Sequence, residues 1–147
     1  MMKLKLPLIA CLLIVLSACG TIKKDEHGSA VDTRINNIVW DVVSFNGKTL
    51  NVRNYGNGLP SITFEMQDNK INGSDGCNTF MGVASYKGNN ITAGPIATTQ
   101  MACPGNTISA DFYEALASKH LTWALTGDGT LRLLINDAEV MALKERQ

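Results

Sequence analysis

Residues 73–103 read GSDGCNTFMGVASYKGNNITAGPIATTQMAC, and the fold of the whole chain turns on them. The stretch opens with a glycine-rich turn that carries Cys77 and closes at Cys103. Between them Phe80 to Tyr86 has strand composition, and Lys87 to Asn90 reads as a turn. Asn90 to Ala93 would be the partner strand, and Ile96 to Met101 one more extended segment. Upstream, Ile38 to Phe45 is rich in β-branched and aromatic residues. Asn46-Gly47 follows with the type I′ hairpin signal, because both residues tolerate positive φ. Lys48 to Val52 would return, and residues 54–60 would form a loop. Ser61 to Met66 alternates with period two, placing Ile62, Phe64 and Met66 on one face. Asp68-Asn69 turns the chain into Lys70 to Gly73. Downstream the period changes. Ile108, Phe112, Ala115 and Leu116 fall at helical spacing between about Thr107 and Lys119. Asn106 or Thr107 would cap that helix, and Asp111 and Glu114 would favour its first turn. Leu121 to Leu125, Thr130 to Ile135 and Glu139 to Leu143 then read as three strands, the first two joined by Asp128-Gly129 and the second two by Asn136-Asp137. The expectation is a mainly β (α+β) domain: a small antiparallel, barrel-like sheet of about eight short strands, with one helix after Cys103.

The start of the chain has another character. Lys3 and Lys5 precede an apolar run from Leu6 to Leu16. That run is shorter than the roughly 20 residues a spanning helix needs, and it reads as an export signal. Leu16-Ser17-Ala18-Cys19 resembles the lipobox of bacterial lipoproteins. The resemblance implies cleavage before Cys19, a diacylglycerol on its sulfur and an acyl group on its new amine. Stable anchoring takes more than one chain, which this arrangement supplies. Gly20, in place of an aspartate, favours the outer membrane. The organisation expected is a signal over residues 1–18, a lipidated cysteine and polar spacer over 19–36, and a folded domain over 37–147. The destination implied is the bacterial envelope, lipid-anchored at the outer membrane and facing the periplasm.

With Cys11 in the signal and Cys19 lipidated, Cys77 and Cys103 remain. In an exported protein the simplest reading is a disulfide. A redox pair or a metal site is the alternative, although the spacing is not that of a dithiol motif. Without Lys3 and Lys5, 11 basic residues stand against 13 acidic ones. No concentrated basic face suggests nucleic acid. The two histidines are His27, in the spacer, and His120, expected against helix carbonyls. Neither accompanies a nucleophile-elbow sequence, and no cluster of Cys, His and acidic residues suggests zinc. No EF-hand loop, P-loop lysine or cofactor motif is present. Asp111 and Glu114 read as a solvated helix face. Trp40, Trp123, Met81 and Met101 read as core residues.

Three segments resemble the META domain family, which includes the heat-shock lipoprotein HslJ. They are Trp40 to Leu50 (WDVVSFNGKTL), Gly76 to Gly82 (GCNTFMG) with Gly73 and Asp75 just before, and Thr98 to Pro104 (TTQMACP) with the amphipathic helix that follows. The closing Leu131-Arg132-Leu133 strand also fits. The resemblance implies a small β-barrel-like envelope domain, an association with envelope stress and with novobiocin tolerance in some members, and no catalytic activity. It carries over Cys77, Cys103 and the polar positions Asn78, Thr79, Thr98 and Thr99. With Gly76 and Phe80 these form a candidate clasp or binding motif. Gly73 and Gly76 would allow sharp turns, and Asn78, Thr98, Thr99 and Gln100 would satisfy loop backbone groups. The function expected is binding or stress tolerance, without enzymatic activity, toward an envelope protein or a small ligand. An inhibitor of lysozyme acting through a loop is the second expectation, and a redox protein using Cys103 the third.

Overall fold

A computed structural model describes residues 32–105 and 108–147. Nine antiparallel strands form one ring-like sheet. In chain order they are β1 (Val39–Phe45), β2 (Lys48–Thr49), β3 (Ser61–Glu65), β4 (Lys70–Ser74), β5 (Thr79–Lys87), β6 (Asn90–Thr98), β7 (Leu121–Leu125), β8 (Leu131–Ile135) and β9 (Ala138–Glu145). The sheet order is β2-β1-β3-β4-β5-β6-β7-β8-β9, and β9 returns to pair with β1. Eight strands therefore make the ring. β2 is a short flap that pairs with the end of β1, at Ser44 and Phe45, beyond the part that pairs with β3.

Alternation along each strand fills the ring. Trp40, Val42, Ile62, Phe64, Ile71, Phe80, Ala84, Ile91, Leu121, Trp123, Leu131, Leu133, Met141 and Leu143 are all buried. Period two breaks at irregularities in the pairing. The β1–β9 register shifts between Val42 and Ser44, which turns Phe45 inward after Val42. Two-residue hairpins sit where positive φ is available: Asn46-Gly47 at +48° and +74°, Asn136-Asp137 at +51° and +65°. Helix α1 (Ser109–Leu116), the one α-helix among the described residues, lies between β6 and β7 and buries Phe112, Ala115 and Leu116. The Phe112 ring meets Phe80 at 5.8 Å and Phe45 at 6.5 Å between centroids, so the helix plugs the end of the ring where β1 ends and β5 begins.

Four expectations change. The return strand after Asn46-Gly47 lasts two residues, not the stretch to Val52. A 3-10 helix follows at Val52–Asn54, begun by Asn51, whose side chain accepts from the Arg53 N–H. Asn90 to Thr98 is one strand, not two. Gly94-Pro95 reads as punctuation but serves as an irregularity opposite Val83, between the pairs Ala84–Ala93 and Gly82–Ile96. The helix ends at Leu116, short of Lys119 and His120, and its Ile108 cap position has no side-chain cap bond. The proposed caps Asn106 and Thr107 lie outside the described residues. Finally, packing begins before residue 37. Ile35 is fully buried, its carbonyl accepts the Trp40 indole N–H at 3.2 Å, and Asn36 forms a parallel bridge with Phe64.

Candidate functional site

The turn from Ser74 to Asn78 is built around one buried carboxylate. Asp75 is fully buried. Its Oδ1 accepts the N–H of Cys77 at 2.9 Å and of Asn78 at 2.6 Å, and its Oδ2 accepts the Ser109 hydroxyl at 2.7 Å. Its own N–H donates to the Asn78 carbonyl at 3.0 Å. Charge-assisted bonds of this kind offset the desolvation of a buried carboxylate. They also tie the turn to the start of α1. Burial raises the Tyr113 phenol above its usual range, and the Asp75 charge beside it adds to the rise.

The turn is held from two more sides. Asn57 donates its backbone N–H to the Gly76 carbonyl at 3.1 Å and its side-chain amide to the Cys77 carbonyl at 2.8 Å. Gly76 sits at φ +88°, and a Cβ there would strike the Tyr55 ring. Across the turn, Asn78 grips the loop after β6. Its Oδ1 accepts the Met101 N–H at 2.6 Å and the Thr99 hydroxyl at 3.0 Å, and its Nδ2 donates to the Met101 carbonyl at 3.3 Å. Thr79 N–H donates to the Thr99 hydroxyl at 3.1 Å, and Thr99 N–H donates to the Thr79 carbonyl at 3.0 Å. Cys77 and Cys103 are joined in a disulfide across Cα atoms 6.0 Å apart.

The structure thus brings Gly76, Cys77, Asn78, Thr79, Thr99 and Cys103 together. Phe80 belongs to the core, where its ring packs edge-on against Phe112 and Tyr113. Thr98 and Gln100 are exposed, and of the four polar side chains expected to serve the loop backbone Asn78 and Thr99 do so. Cys19 and His27 lie outside the described residues. Trp40 and Trp123 are buried as expected, whereas Met81 and Met101 are not core filler: they are 67 % and 52 % exposed. Met81 occupies an outward position on β5, opposite Asn72 and Ala97. His120 is exposed four residues past the helix, and its backbone N–H donates to Ser118 Oγ at 3.3 Å. Asp111 and Glu114 are exposed on α1. Asp75 was placed just before the motif, but sequence reading gave it no role. Its signal is the order Asp-Gly-Cys-Asn, in which an Asp can accept from the N–H groups two and three residues on.

Beside the clasp lies an open groove of about 1120 Å³ on the outer face of β4, β5 and β6. Met81, Val83, Pro95 and Ala97 give it an apolar floor, and Lys70 and Glu65 stand at its rim. Val83, at 60 % exposure, and Met81 are the most exposed large apolar side chains among the described residues. Asn72 donates to Glu65 Oε1 at 2.7 Å, which fixes the polar border. Among the described residues no group of three or more His, Cys, Asp or Glu is placed to hold a metal ion. No helix among them is long and apolar enough to cross a membrane.

The META domain pattern matches residues 33–147. The chain belongs to the META domain family. Two solved structures share the fold of this META domain. One is an NMR structure of a protein from Burkholderia xenovorans, 18% identical, covering 77% of this chain and 84% of that one, with a TM-score of 0.59. The other, also an NMR structure, is 23% identical and covers 75% of this chain and 90% of that one, again with a TM-score of 0.59. No curated protein matches the sequence. The family match begins at residue 33, in keeping with the burial of Ile35.

Proposed function

We propose that this META domain is held at the outer membrane by lipid on Cys19, facing the periplasm, and works there by binding an envelope partner rather than by catalysis. The observation that carries the reading is the apolar groove. Two large side chains, Met81 and Val83, stand mostly in water on a face beside the turn that a disulfide and a buried carboxylate hold in place. Exposed contiguous apolar surface of this kind marks an interaction site more often than an ornament. The polar groups of the clasp are spent on backbone partners, on one another and on Ser109, which is the work of a scaffold. The Leu16-Ser17-Ala18-Cys19 sequence and the disulfide support an exported location. Membership of the META domain family supports a role in stress tolerance, which the resemblance implies.

A photo-crosslinking residue placed at Val83 tests this in living cells. Glu139, exposed on β9 across the ring, is the control position. Discrete adducts from Val83 and none from Glu139 are expected; equal labelling at both, or none at Val83, contradicts the reading. Cys19→Ala should abolish palmitate labelling and release the protein from the membrane fraction; a variant still labelled would refute the anchor.

A further inference from the structure

Among the described residues β6 has a neighbour on only one side for most of its length. β5 pairs with it from Asn90 to Thr98, but β7 meets it only at Asn90 and Ile91. The bond from Thr99 N–H to the Thr79 carbonyl fixes which way the ladder faces. In an antiparallel pair alternate residues bond to the same neighbour. Ala97 therefore faces β5 along with Thr99, and the N–H and C=O groups of Ile96 and Thr98 point the other way. Among the described residues no strand, turn or side chain meets them.

Natural edges are usually guarded by a charge or a proline. The run from Thr92 to Thr98, TAGPIAT, carries no charge. Its Pro95 does not blunt the edge. The Pro95 carbonyl lies 3.0 Å from where a Cβ on Gly82 of β5 would stand, so that oxygen is turned to the paired side. The Ile96 N–H, on the opposite side of the same planar trans peptide, points outward. An open backbone edge thus runs beside the apolar floor of Pro95, Ala97 and Met81.

We propose that this edge takes an extended polypeptide segment of a partner protein, which adds to the sheet as a strand beside β6. Its apolar side chains, at alternate positions, lie next to Pro95 and Ala97. The inference rests on the binding reading above and names the partner's chemistry. Only another backbone offers alternating donors and acceptors at the spacing of Ile96 and Thr98. An acyl chain or a small apolar ligand would cover the floor and leave those groups unpaired. Beyond Ile91 β7 no longer pairs with β6, so one added strand would continue the sheet there, and pairing of two copies is an outcome the test distinguishes.

The test uses the full chain with its disulfide intact and capped heptapeptides in which Thr alternates with Val, Ile, Leu or Phe. Matched peptides N-methylated on every second residue, in both registers, serve as controls. Amide hydrogen exchange is followed by NMR. At least one parent peptide should slow exchange at Ile96 and Thr98 by about tenfold or more, and its N-methylated forms should not. Thr98→Pro removes an outward donor and no bond to β5. It should keep the fold and weaken the peptide roughly five- to tenfold, the worth of one backbone hydrogen bond. Shifts at Met81 and Val83 without protection would overturn strand addition while leaving a binding face. Equal binding of N-methylated peptides would overturn it as well. So would protection that grows with protein concentration in the absence of peptide, which would reveal self-pairing, or no binding by any peptide at millimolar concentration.

Discussion

Replacing Asn78 by Ala should loosen the clasp more than its half-exposed position suggests. The side chain makes two short bonds, from the Met101 N–H at 2.6 Å and the Thr99 hydroxyl at 3.0 Å, and one longer bond to the Met101 carbonyl at 3.3 Å. Each short bond contributes about 1 kcal/mol net, and the longer one less, giving roughly 2–3 kcal/mol in all. For a domain of this size about 1 kcal/mol moves the melting temperature by about 4 °C, so Asn78→Ala should melt about 8–12 °C lower. Asn78→Asp separates the contributions. It keeps an acceptor for Met101 and Thr99 but turns an oxygen toward the Met101 carbonyl, and should fall near or below the alanine variant. Calorimetry on the oxidised protein measures both. In a double-mutant cycle with Thr99→Ala the coupling should be of order 1 kcal/mol, since the two side chains bond directly. A loss below about 0.5 kcal/mol for Asn78→Ala, the range of an ordinary surface change, would refute the reasoning.

Further outcomes follow from the same geometry. Cys77→Ser with Cys103→Ser opens a loop of 26 residues' separation and should cost about 3–4 kcal/mol by chain entropy, read as a lower denaturant midpoint with an unchanged circular dichroism spectrum. Gly76→Ala forces a Cβ onto the Tyr55 ring at a φ of +88°; about 1–3 kcal/mol should be lost, against little for Gly127→Ala, where nothing lies within 4 Å. Alkaline pH should destabilise the fold. Burial first, and the Asp75 charge second, raise the Tyr113 pKa in the folded state. The stability linked to Tyr113 is therefore full below the unfolded phenol value of about 10 and is lost as pH climbs toward the folded one. Unfolding followed from neutral to strongly alkaline pH should show this decline, and Tyr113→Phe should reduce it, leaving the part due to Tyr86, whose phenol is also raised by burial; an unchanged slope would contradict the assignment.

Local chemistry made much of the fold legible. Asn46-Gly47 and Asn136-Asp137 demand positive φ, and both became two-residue hairpins. Alternation at Ile62, Phe64 and Met66 named the inner face of β3, and helical spacing found Phe112, Ala115 and Leu116. What escaped depends on partners distant in sequence. Gly94-Pro95 breaks a run in the sequence, yet β5 accommodates it as a bulge and the strand continues. Met81 and Met101 look like core residues because nothing in their neighbourhood says which face of a two-sided run meets water. Part of the clasp was legible in Cys77, Cys103, Asn78 and Thr99. Asp75 was placed beside the motif, but its role was not legible, because it is completed by Ser109, 34 residues away.

The central claim is that the face bearing Met81 is open on the isolated protein and covered in the envelope. Methionine oxidation by dilute peroxide, mapped by mass spectrometry, reads this directly. On purified protein Met81 and Met101 should oxidise quickly, while buried Met66 and Met141 react slowly. In intact envelopes Met81 should become slow as well. Equal Met81 rates in both preparations would contradict the claim.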